Sequence, residues 1–499
     1  MQWVINIATN YLRFLASMVA VFVMTPYIID KLGVDQFGLW TLIYAVVSLF
    51  GLMDFGLATA AVKFVAEATG AGDLEDRNRT LATLLIVYAA IGITCAALIL
   101  ALAGPLRGFF DLTAQQQTQF VPVLCVLGIA IALNFPASLF KASMSGAGRM
   151  DVVNAFDLIM VAVNVTLTYT LLEAGYGIVG LAVSTAATLV GTSLAMIPLS
   201  YWLIPGFSVS WRKVSRQRIR PLLAFSGYAF LANVALLITL RIDPIAIKLF
   251  LPMSAIAVYA IAAKISEYVF LLNKQFSNAL MPLVSQLHGR GEANAIRLVM
   301  MDGTRFLLAF ALPGITLLFY YAPEFIHLWL GDEFAESATL LRILLVAMVP
   351  VTLQLNAANV LGMTGHHRFL ALCMLGSAAL NLCVSIGGVA AIGLTGAALG
   401  TLFAVLAVEA GLILPRACAH TGIGVGAFLA SAVAPALPAL LPMFALCALL
   451  ERAPPAPNMG VLLLKIGICG VVYLLAFAAT ALKPAERSLL RQRLQRTPR

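Results

Sequence analysis

Residues 81–104 read LATLLIVYAAIGITCAALILALAG, a run of 24 residues without a charged side chain. A helix of this length crosses the roughly 30 Å hydrocarbon core of a bilayer. The run also lacks the alternation of apolar and polar residues that is typical of a barrel strand. It therefore predicts a transmembrane helix, and the same kind of stretch recurs along the whole chain.

Similar apolar runs lie near 7–29, 38–60, 119–140, 152–173, 178–203, 222–242, 254–285, 302–322, 337–361, 369–391, 393–415, 425–449 and 459–481. The composition agrees with them. Hydrophobic residues make up 62% of the 499 and charged residues 11%, whereas a soluble domain has about half and a quarter. We therefore predict an all-α, polytopic membrane protein with about 14 transmembrane helices and short connecting loops.

Basic residues are unevenly divided between alternate loops. With fourteen spans, about 20 lysines and arginines fall on the side of both termini, and about four fall opposite, namely Lys31, Arg107, Lys248 and Arg452. Basic residues stay in the cytoplasm, so both termini are predicted there. This bias accounts for the net charge of +9 without a nucleic-acid partner.

The chain contains an internal repeat. The segment that begins GRMDV at residue 148 matches the one that begins GHHRF at residue 365. Each starts with a loop glycine, has an asparagine within the next span (Asn164 or Asn381), and ends in a Gly-x-x-Gly turn. The offset is 217 residues at the first two landmarks and 216 at the last. Each copy is predicted to contain six spans. Because six is an even number, both copies enter the membrane in the same direction, so they are predicted to be parallel repeats related by an axis along the membrane normal.

The repeat predicts the domain organisation. We divide the chain into an N-lobe of six spans (1–203), a basic cytoplasmic linker (204–221) and a C-lobe of six spans (222–415). Two further spans (416–482) and a basic cytoplasmic tail (483–499) follow. The linker is interpreted as a loop that sets topology, and a patch for lipid headgroups is the alternative. In transporters with parallel repeats, the substrate site lies between the halves, which rock to expose either side.

Several short motifs occur in a characteristic order: Leu32-Gly33, Phe37-Gly38-Leu39-Trp40, Asp54–Leu57, Tyr259–Ile265, Met281–Leu283, Leu328–Gly331 and the paired Asn164 and Asn381. In order and spacing they resemble the polysaccharide-transporter (Wzx-like) branch of the MOP (multidrug/oligosaccharidyl-lipid/polysaccharide) flippase superfamily. The resemblance covers spans 1–12. It implies a two-lobed bundle that flips polyprenyl-pyrophosphate-linked oligosaccharides across the bacterial inner membrane. Many members of this branch have twelve spans, and fourteen is typical of the lipid II flippase.

The eighth predicted span carries a polar stripe. Lys264, Glu267, Lys274 and Asn278 recur at helical spacing and share one face. Each ionisable residue inside a span costs roughly 2.5–3.5 kcal/mol on insertion scales, so we predict that the stripe lines a water-filled cleft. The alternative is a local pair of Lys264 with Glu267, with Lys274 reaching to the cytoplasmic surface.

The first predicted span has a similar stripe that includes Asn10 and Arg13. Arginine keeps its charge in apolar surroundings and binds phosphate through two parallel hydrogen bonds. Arg13, Lys264 and Lys274 are therefore the predicted binding site for a pyrophosphate, and Asn10 and Asn233 are predicted to line the same cleft. For Arg13, the alternative is that the side chain reaches to the membrane interface.

Acidic residues within spans are candidates for ion coupling. Asp54 and Glu267 are each predicted to carry a coupling H⁺ or Na⁺, and for Asp54 a hydrogen bond to a neighbouring helix is the alternative. The pair Arg241 and Asp243 is a candidate periplasmic gate, with a salt bridge at the helix end as the alternative.

Other chemistries receive no support from the sequence. Asp157 and Glu409, which also lie within spans, are further acidic candidates, and a structural role is the interpretation that we favour for each. The seven cysteines are scattered, so neither a metal site nor a disulfide framework is predicted. The chain has no phosphate-binding loop and no metalloprotease or nucleophile-elbow motif. No cofactor is therefore expected, and energy would come from an ion gradient, the membrane potential or consumption of the flipped lipid.

The predicted function is flipping of a lipid-linked oligosaccharide by alternating access, for surface polysaccharide biosynthesis and with polymerase or assembly proteins as further partners. A MATE-like drug antiporter is the main alternative, and its cleft should be acidic or aromatic. A lipid II flippase is the next, which differs in substrate alone. A glycosyltransferase or polymerase would need a large periplasmic loop, and the longest, 322–336, is too short for a catalytic cleft.

Overall fold

A computed structural model describes residues 2–452 and 455–481; for residues 2–7, 216, 218–226, 228, 229 and 232 it describes the backbone alone. In the first half of this part the helices are α1 (Gln2–Leu32), α2 (Val34–Leu49), α3 (Leu57–Gly70), α4 (Leu74–Phe109), α5 (Ala114–Gly146), α6 (Met150–Glu173), α7 (Gly177–Leu203), α8 (Arg216–Arg241) and α9 (Asp243–Lys248). In the second half they are α10 (Met253–Asn278), α11 (Met281–Gly289), α12 (Ala293–Leu330), α13 (Ala335–Met363), α14 (His367–Ile392), α15 (Leu394–Ala404), α16 (Leu414–His420), α17 (Val425–Ala432), α18 (Leu437–Glu451) and α19 (Met459–Thr480).

These helices form a multi-pass membrane protein. Within the described residues, twelve stretches are long and apolar enough to cross a membrane, and the bent pair α17 and α18 would make thirteen. The seventh predicted span, 222–242, falls on α8, where many side chains lie outside the described part. The all-α membrane fold is confirmed, and the total of 14 spans stays a prediction.

The chain divides into two compact units, residues 1–257 and 258–499. In the first unit α5 packs against α3, α4 and α7, and in the second α13 packs against α12 and α15 while α19 packs against α12. Large apolar side chains also remain exposed, such as Ile93 at 72% and Leu441 at 71%. Such exposure is expected where lipid covers the surface. The lobe boundaries inferred from the repeat stay a prediction.

The repeat has a structural counterpart within each unit. Asn164 of α6 donates a hydrogen bond through Nδ2 to Thr188 Oγ1 of α7, at 2.9 Å. Asn381 of α14 donates in the same way to Thr401 Oγ1, also at 2.9 Å. The glycine that opens each repeated segment has a positive φ, of 80° and 92°. An amide inside a span therefore joins consecutive helices in both copies, where an unpaired polar group would be costly.

The second predicted span is broken. The run near 38–60 predicts one continuous helix, but α2 ends at Leu49 and a 3₁₀ turn covers Phe50–Asp54. Phe55 and Gly56 then take positive φ values of 50° and 75°, and α3 begins at Leu57. Two successive left-handed residues cannot continue an α-helix. The break places Asp54 at the start of α3.

The described part of the predicted linker is fastened to α4. Arg77 is buried and donates to the carbonyl oxygen of Pro205 at 2.8 Å. Asn78 donates to the carbonyl oxygen of Gly206 at 2.8 Å and accepts from the backbone N–H of Ser208 at 3.2 Å. These bonds supply the partners that buried backbone groups require. The segment after α7 is thus held on the first turns of α4.

Glycine allows α14 and α15 to approach closely. A Cβ atom added to Gly388 would lie 2.8 Å from the carbonyl oxygen of Gly396, and one added to Gly396 would overlap the backbone of Gly388. At Gly387, the preceding residue, an added Cβ would meet no atom within 4 Å. Small residues at helix contacts permit such approach in membrane proteins.

These two neighbouring glycines generate a matched test. Gly388→Ala should push α14 and α15 apart and destabilise the protein by about 1–3 kcal/mol, as overpacking does. Gly387→Ala should be neutral or stabilise by up to about 1 kcal/mol, because alanine favours the helix. Thermal unfolding of both purified variants in detergent measures the difference, and equal melting temperatures would contradict the close contact.

Candidate functional site

Arg13 of the first span belongs to a charge cluster of three side chains. Its Nη1 lies 3.4 Å from Oδ2 of Asp157, on α6. Lys141, near the end of α5, places Nζ 2.8 Å from Oδ1 and 3.0 Å from Oδ2 of the same carboxylate. Asn10 accepts a hydrogen bond from Arg13 Nη2 at 3.0 Å. The cluster therefore joins α1, α5 and α6 through one acidic residue.

This cluster has an excess of positive charge. Two cations share the carboxylate of Asp157, so one positive charge has no counterion within the cluster. Asp157 is 15% exposed, while Arg13 and Lys141 are 34% and 35% exposed, so the cations are the more accessible groups. Such an arrangement holds the basic side chains in place and still attracts an anion.

The polar stripe of the eighth predicted span lies on α10. Lys264 Nζ is 2.9 Å from Oε2 of Glu267, one turn away. The lysine is 38% exposed and the glutamate 13%. Lys274 is half-buried and lies over the ring of Phe270, at 5.5 Å from the centroid. In the described part of the chain, Lys274 has no carboxylate partner, so this stripe also carries one excess positive charge.

A different face of α10 is hydrogen-bonded to α13. Asn273 donates to Thr352 Oγ1 at 2.9 Å, and Ser277 donates to Asn356 Oδ1 at 2.5 Å. Asn359 donates to Ser277 Oγ at 2.8 Å. All but Asn359 are buried. These bonds fix the rotation of α10 against α13 and so determine where the lysine side chains lie around the helix.

Asp54 occupies the break between α2 and α3. Tyr88 Oη of α4 donates to its Oδ1 at 2.7 Å, and the backbone N–H of Ala58 donates to the same atom at 3.3 Å. Together with Asn233 of α8 and the aromatic ring of Phe55, Asp54 lines a small cavity in the first unit. The structure thus places Asn233 near Asp54, and the ion-coupling role of Asp54 stays a prediction.

The remaining predicted residues lie at helix ends. The Arg241 guanidinium is over the ring of Tyr44, 5.7 Å from the centroid. Asp243 is buried in the first turn of α9. Asn278 is the last residue of α10 and is half-buried. The gate assigned to Arg241 and Asp243 stays a prediction.

Sequence reasoning missed two members of the Arg13 cluster. The apolar run of the fourth predicted span ends at residue 140, which leaves Lys141 outside it, but α5 continues to Gly146. Asp157 was expected to be structural without a named partner. The spacing of 16 residues between Lys141 and Asp157 does not predict a contact, because the two residues lie on different helices that pack together.

Comparisons with known proteins agree with this fold. A family model described as "Polysaccharide biosynthesis protein" matches residues 32–339. The uncharacterized membrane protein EpsK of Bacillus subtilis is 26% identical, over 69% of this chain and 68% of its own length. Agl15 of Haloferax volcanii, named a probable low-salt glycan biosynthesis flippase, is 22% identical over 74% of each chain. The lipid II flippase MurJ, in an inward closed conformation, superposes with a TM-score of 0.71 over 99% of this chain and 100% of its own, at 13% identity.

Removing the shared carboxylate tests the charge cluster. Asp157→Asn should leave Arg13 and Lys141 repelling each other inside the membrane. The expected loss of stability lies between roughly 1 kcal/mol for an exposed pair and roughly 3–5 kcal/mol for a buried one. Glu75→Gln, which breaks the exposed pair with Arg79, is the control and should change stability by less than about 0.5 kcal/mol. Equal thermal unfolding of the two variants would show that the cluster is not a coupled unit.

Proposed function

Since the chain belongs to the polysaccharide biosynthesis protein family, we propose that it is a flippase for polyprenyl-pyrophosphate-linked oligosaccharides. The observation that carries the proposal is the excess of positive charge on basic residues inside predicted spans. Basic residues at membrane depth are costly and usually serve a pathway for a substrate or ion. A pyrophosphate is an anion that must leave water to cross the bilayer, and these cations would partner it.

The two units offer different kinds of cation. In the first unit, Arg13 has a planar guanidinium whose forked donors match a phosphate, and Lys141 beside it adds a point charge. In the second unit, Lys264 and Lys274 stand about three turns apart on α10, which provides successive contacts for a moving anion. We assign all four side chains to binding of the pyrophosphate, with no catalytic step.

The proposed cycle is alternating access. The predicted parallel repeat of two six-span copies supports it, because transporters of this build expose one site first to one side and then to the other. The pyrophosphate would bind the cations and the sugars would occupy water, while the polyprenyl tail stays in lipid. The membrane potential acts on any net charge moved, with about 2.3 kcal/mol per charge per 100 mV.

The same proposal includes the location and the partners. The resemblance to Wzx-like flippases implies a bacterial inner-membrane location, and the distribution of basic residues supports cytoplasmic termini. The lipid-linked glycan and membrane lipids are the direct partners, and H⁺ or Na⁺ would couple transport. Polymerase or assembly proteins would take over the flipped glycan on the far side.

Two related functions are distinguished by charge and by substrate. A MATE-like antiporter for organic cations needs an acidic or aromatic cleft, and the excess positive charge at Arg13 and along α10 disfavours it. A lipid II flippase would use the same cations, because lipid II also carries a pyrophosphate. The likeness to MurJ extends to the fold alone, so the identity of the glycan has to be measured.

Deletion of the gene tests the proposed function. In the source organism, the deletion strain should accumulate one lipid-linked oligosaccharide on the cytoplasmic leaflet, detected by lipid extraction and mass spectrometry. A plasmid copy should restore the normal pool. Unchanged lipid pools together with new sensitivity to cationic drugs would contradict the flippase and favour the antiporter.

Single neutralisations test the assigned cations in the same strain. Arg13→Ala, Lys264→Ala and Lys274→Ala should each lower complementation about ten-fold or more, since a hydrogen bond to a charged group contributes roughly 1.5–3 kcal/mol. Arg79→Ala, which removes an exposed cation paired with Glu75, is the matched control and should complement fully. Full complementation by an Arg13→Ala/Lys264→Ala double variant, with normal membrane insertion, would exclude the cationic site.

A further inference from the structure

Glu409 lies deep inside the twelfth predicted span. It belongs to the π-helical segment Val405–Ile413, which joins α15 to α16. In the structure, the stretch that could span the membrane runs from Leu394 to His420. Glu409 lies eleven residues before its end, which corresponds to about 16 Å at 1.5 Å per residue. Leu406 and Leu412 beside it are exposed apolar residues. A carboxylate at this depth is costly unless a partner neutralises it.

Among the residues that the structure describes, Glu409 contacts an amide and forms no ion pair with a cation. Its Oε2 accepts a hydrogen bond from Gln354 Nε2 of α13 at 2.8 Å. The π-helical segment packs against α13, α14, α15 and α16. Apart from cysteine thiols, the charged or titratable groups on these four helices are Glu336, Arg342, His367, Arg368, Arg416 and His420. Within the described ranges, none of these groups forms an ion pair or hydrogen bond with Glu409.

Gln354 has an unused acceptor at the same place. The residue is 5% exposed, and its Oε1 is buried without a hydrogen-bond donor. A buried acceptor left without a donor costs about 1–3 kcal/mol. The same amide therefore donates to Glu409 through its nitrogen and leaves its oxygen unpaired beside a carboxyl group.

One proton satisfies both groups. A neutral carboxylic acid accepts from an amide N–H through its carbonyl oxygen and donates its own O–H to the amide oxygen. The ionised carboxylate is an acceptor alone, so it could use only the amide nitrogen. We propose that Glu409 and Gln354 form a proton-binding site in the second unit, in which the protonated carboxyl donates to Gln354 Oε1.

Other acidic residues within the spans have different surroundings. Glu267 pairs with Lys264 at 2.9 Å, and Asp157 pairs with two cations. Asp54 already receives an O–H from Tyr88 and a backbone N–H. Glu409 differs in having an amide as its partner and an unpaired acceptor next to it, which is the arrangement that a proton completes.

The site is connected to the proposed substrate helix through α13. Gln354 is on the side of α13 that meets the π-helical segment, while Thr352 and Asn356 bond to Asn273 and Ser277 of α10. Gain or loss of the proton by Glu409 changes the charge of a side chain that contacts α13. The buried bonds in turn link α13 to α10, the helix that carries Lys264 and Lys274. Coupling of the proton to transport rests on the proposed flippase function, whereas protonation of Glu409 does not.

Infrared difference spectroscopy tests the proton site without any glycan. The full-length protein in lipid vesicles should show the carbonyl stretch of a protonated carboxylic acid at neutral pH, and this band should disappear at alkaline pH. Glu409→Gln, which keeps the size and the hydrogen bond, should remove the band. Glu409→Asp should move it, and Gln354→Leu should shift its frequency because the O–H loses its acceptor.

Glu292→Gln is the matched control, because Glu292 is exposed in a turn beside Arg290, and it should leave the band unchanged. A band that persists in Glu409→Gln and is unmoved in Glu409→Asp would overturn the proposal. Loss of the band when sodium is added at constant pH would also overturn the proposal, because the site would then bind a metal cation in place of the proton. These readouts are independent of lipid accumulation in the deletion strain, so failure of the flippase proposal and failure of the proton site are separate results.

In transport assays, Glu409→Gln should abolish stimulation by a proton gradient while exchange without a gradient continues. Stimulation equal to that of the wild type would show that this carboxyl does not couple protons to transport.

Discussion

An ionised side chain inside the hydrocarbon core has to be matched by a partner, and this requirement determines which helices are joined in this protein. Asp157 joins α5 and α6 to α1 because Lys141 and Arg13 both pair with it. Glu267 pairs with Lys264 along α10. In each case the acidic group is the less exposed partner. Asp157 is shared by two cations, and Lys274 adds a second cation to the α10 stripe, so each group carries one more positive than negative charge. This excess of positive charge is the feature on which the proposed binding of an anion rests.

Helix irregularities occur at two acidic residues within the predicted spans for which the described part of the chain shows no ion pair. Asp54 lies at the 3₁₀ break before α3, and Glu409 lies in the π-helical segment before α16. Short π-helical stretches and broken spans are frequent at functional sites. A regular helix satisfies its own backbone, whereas a break exposes N–H groups that can hold a carboxylate, as Ala58 does for Asp54. At Asp54, the broken backbone therefore supplies a hydrogen bond to the carboxylate.

The sequence predicted the features that depend on local composition and missed those that depend on packing. Apolar runs predicted the spans because a helix that crosses the membrane needs about 20 consecutive, mostly apolar residues. The repeat identified Asn164 and Asn381, which make equivalent hydrogen bonds within their units. The partnership of Arg13 with Asp157 could not be predicted, since 144 residues separate them. The break at Phe55 was missed because hydropathy continues through it, and the π-helical segment has an ordinary apolar sequence.

The most direct measurement of the central claim is lipid flipping by the purified protein in sealed vesicles. A polyprenyl-pyrophosphate oligosaccharide with a labelled sugar is incorporated in both leaflets, and an external glycosidase removes label from the outer leaflet alone. The account predicts that vesicles with the protein lose nearly all the label, while vesicles with the Arg13→Ala/Lys264→Ala variant retain the inner-leaflet share. Retention of that share by the wild-type protein would contradict the account.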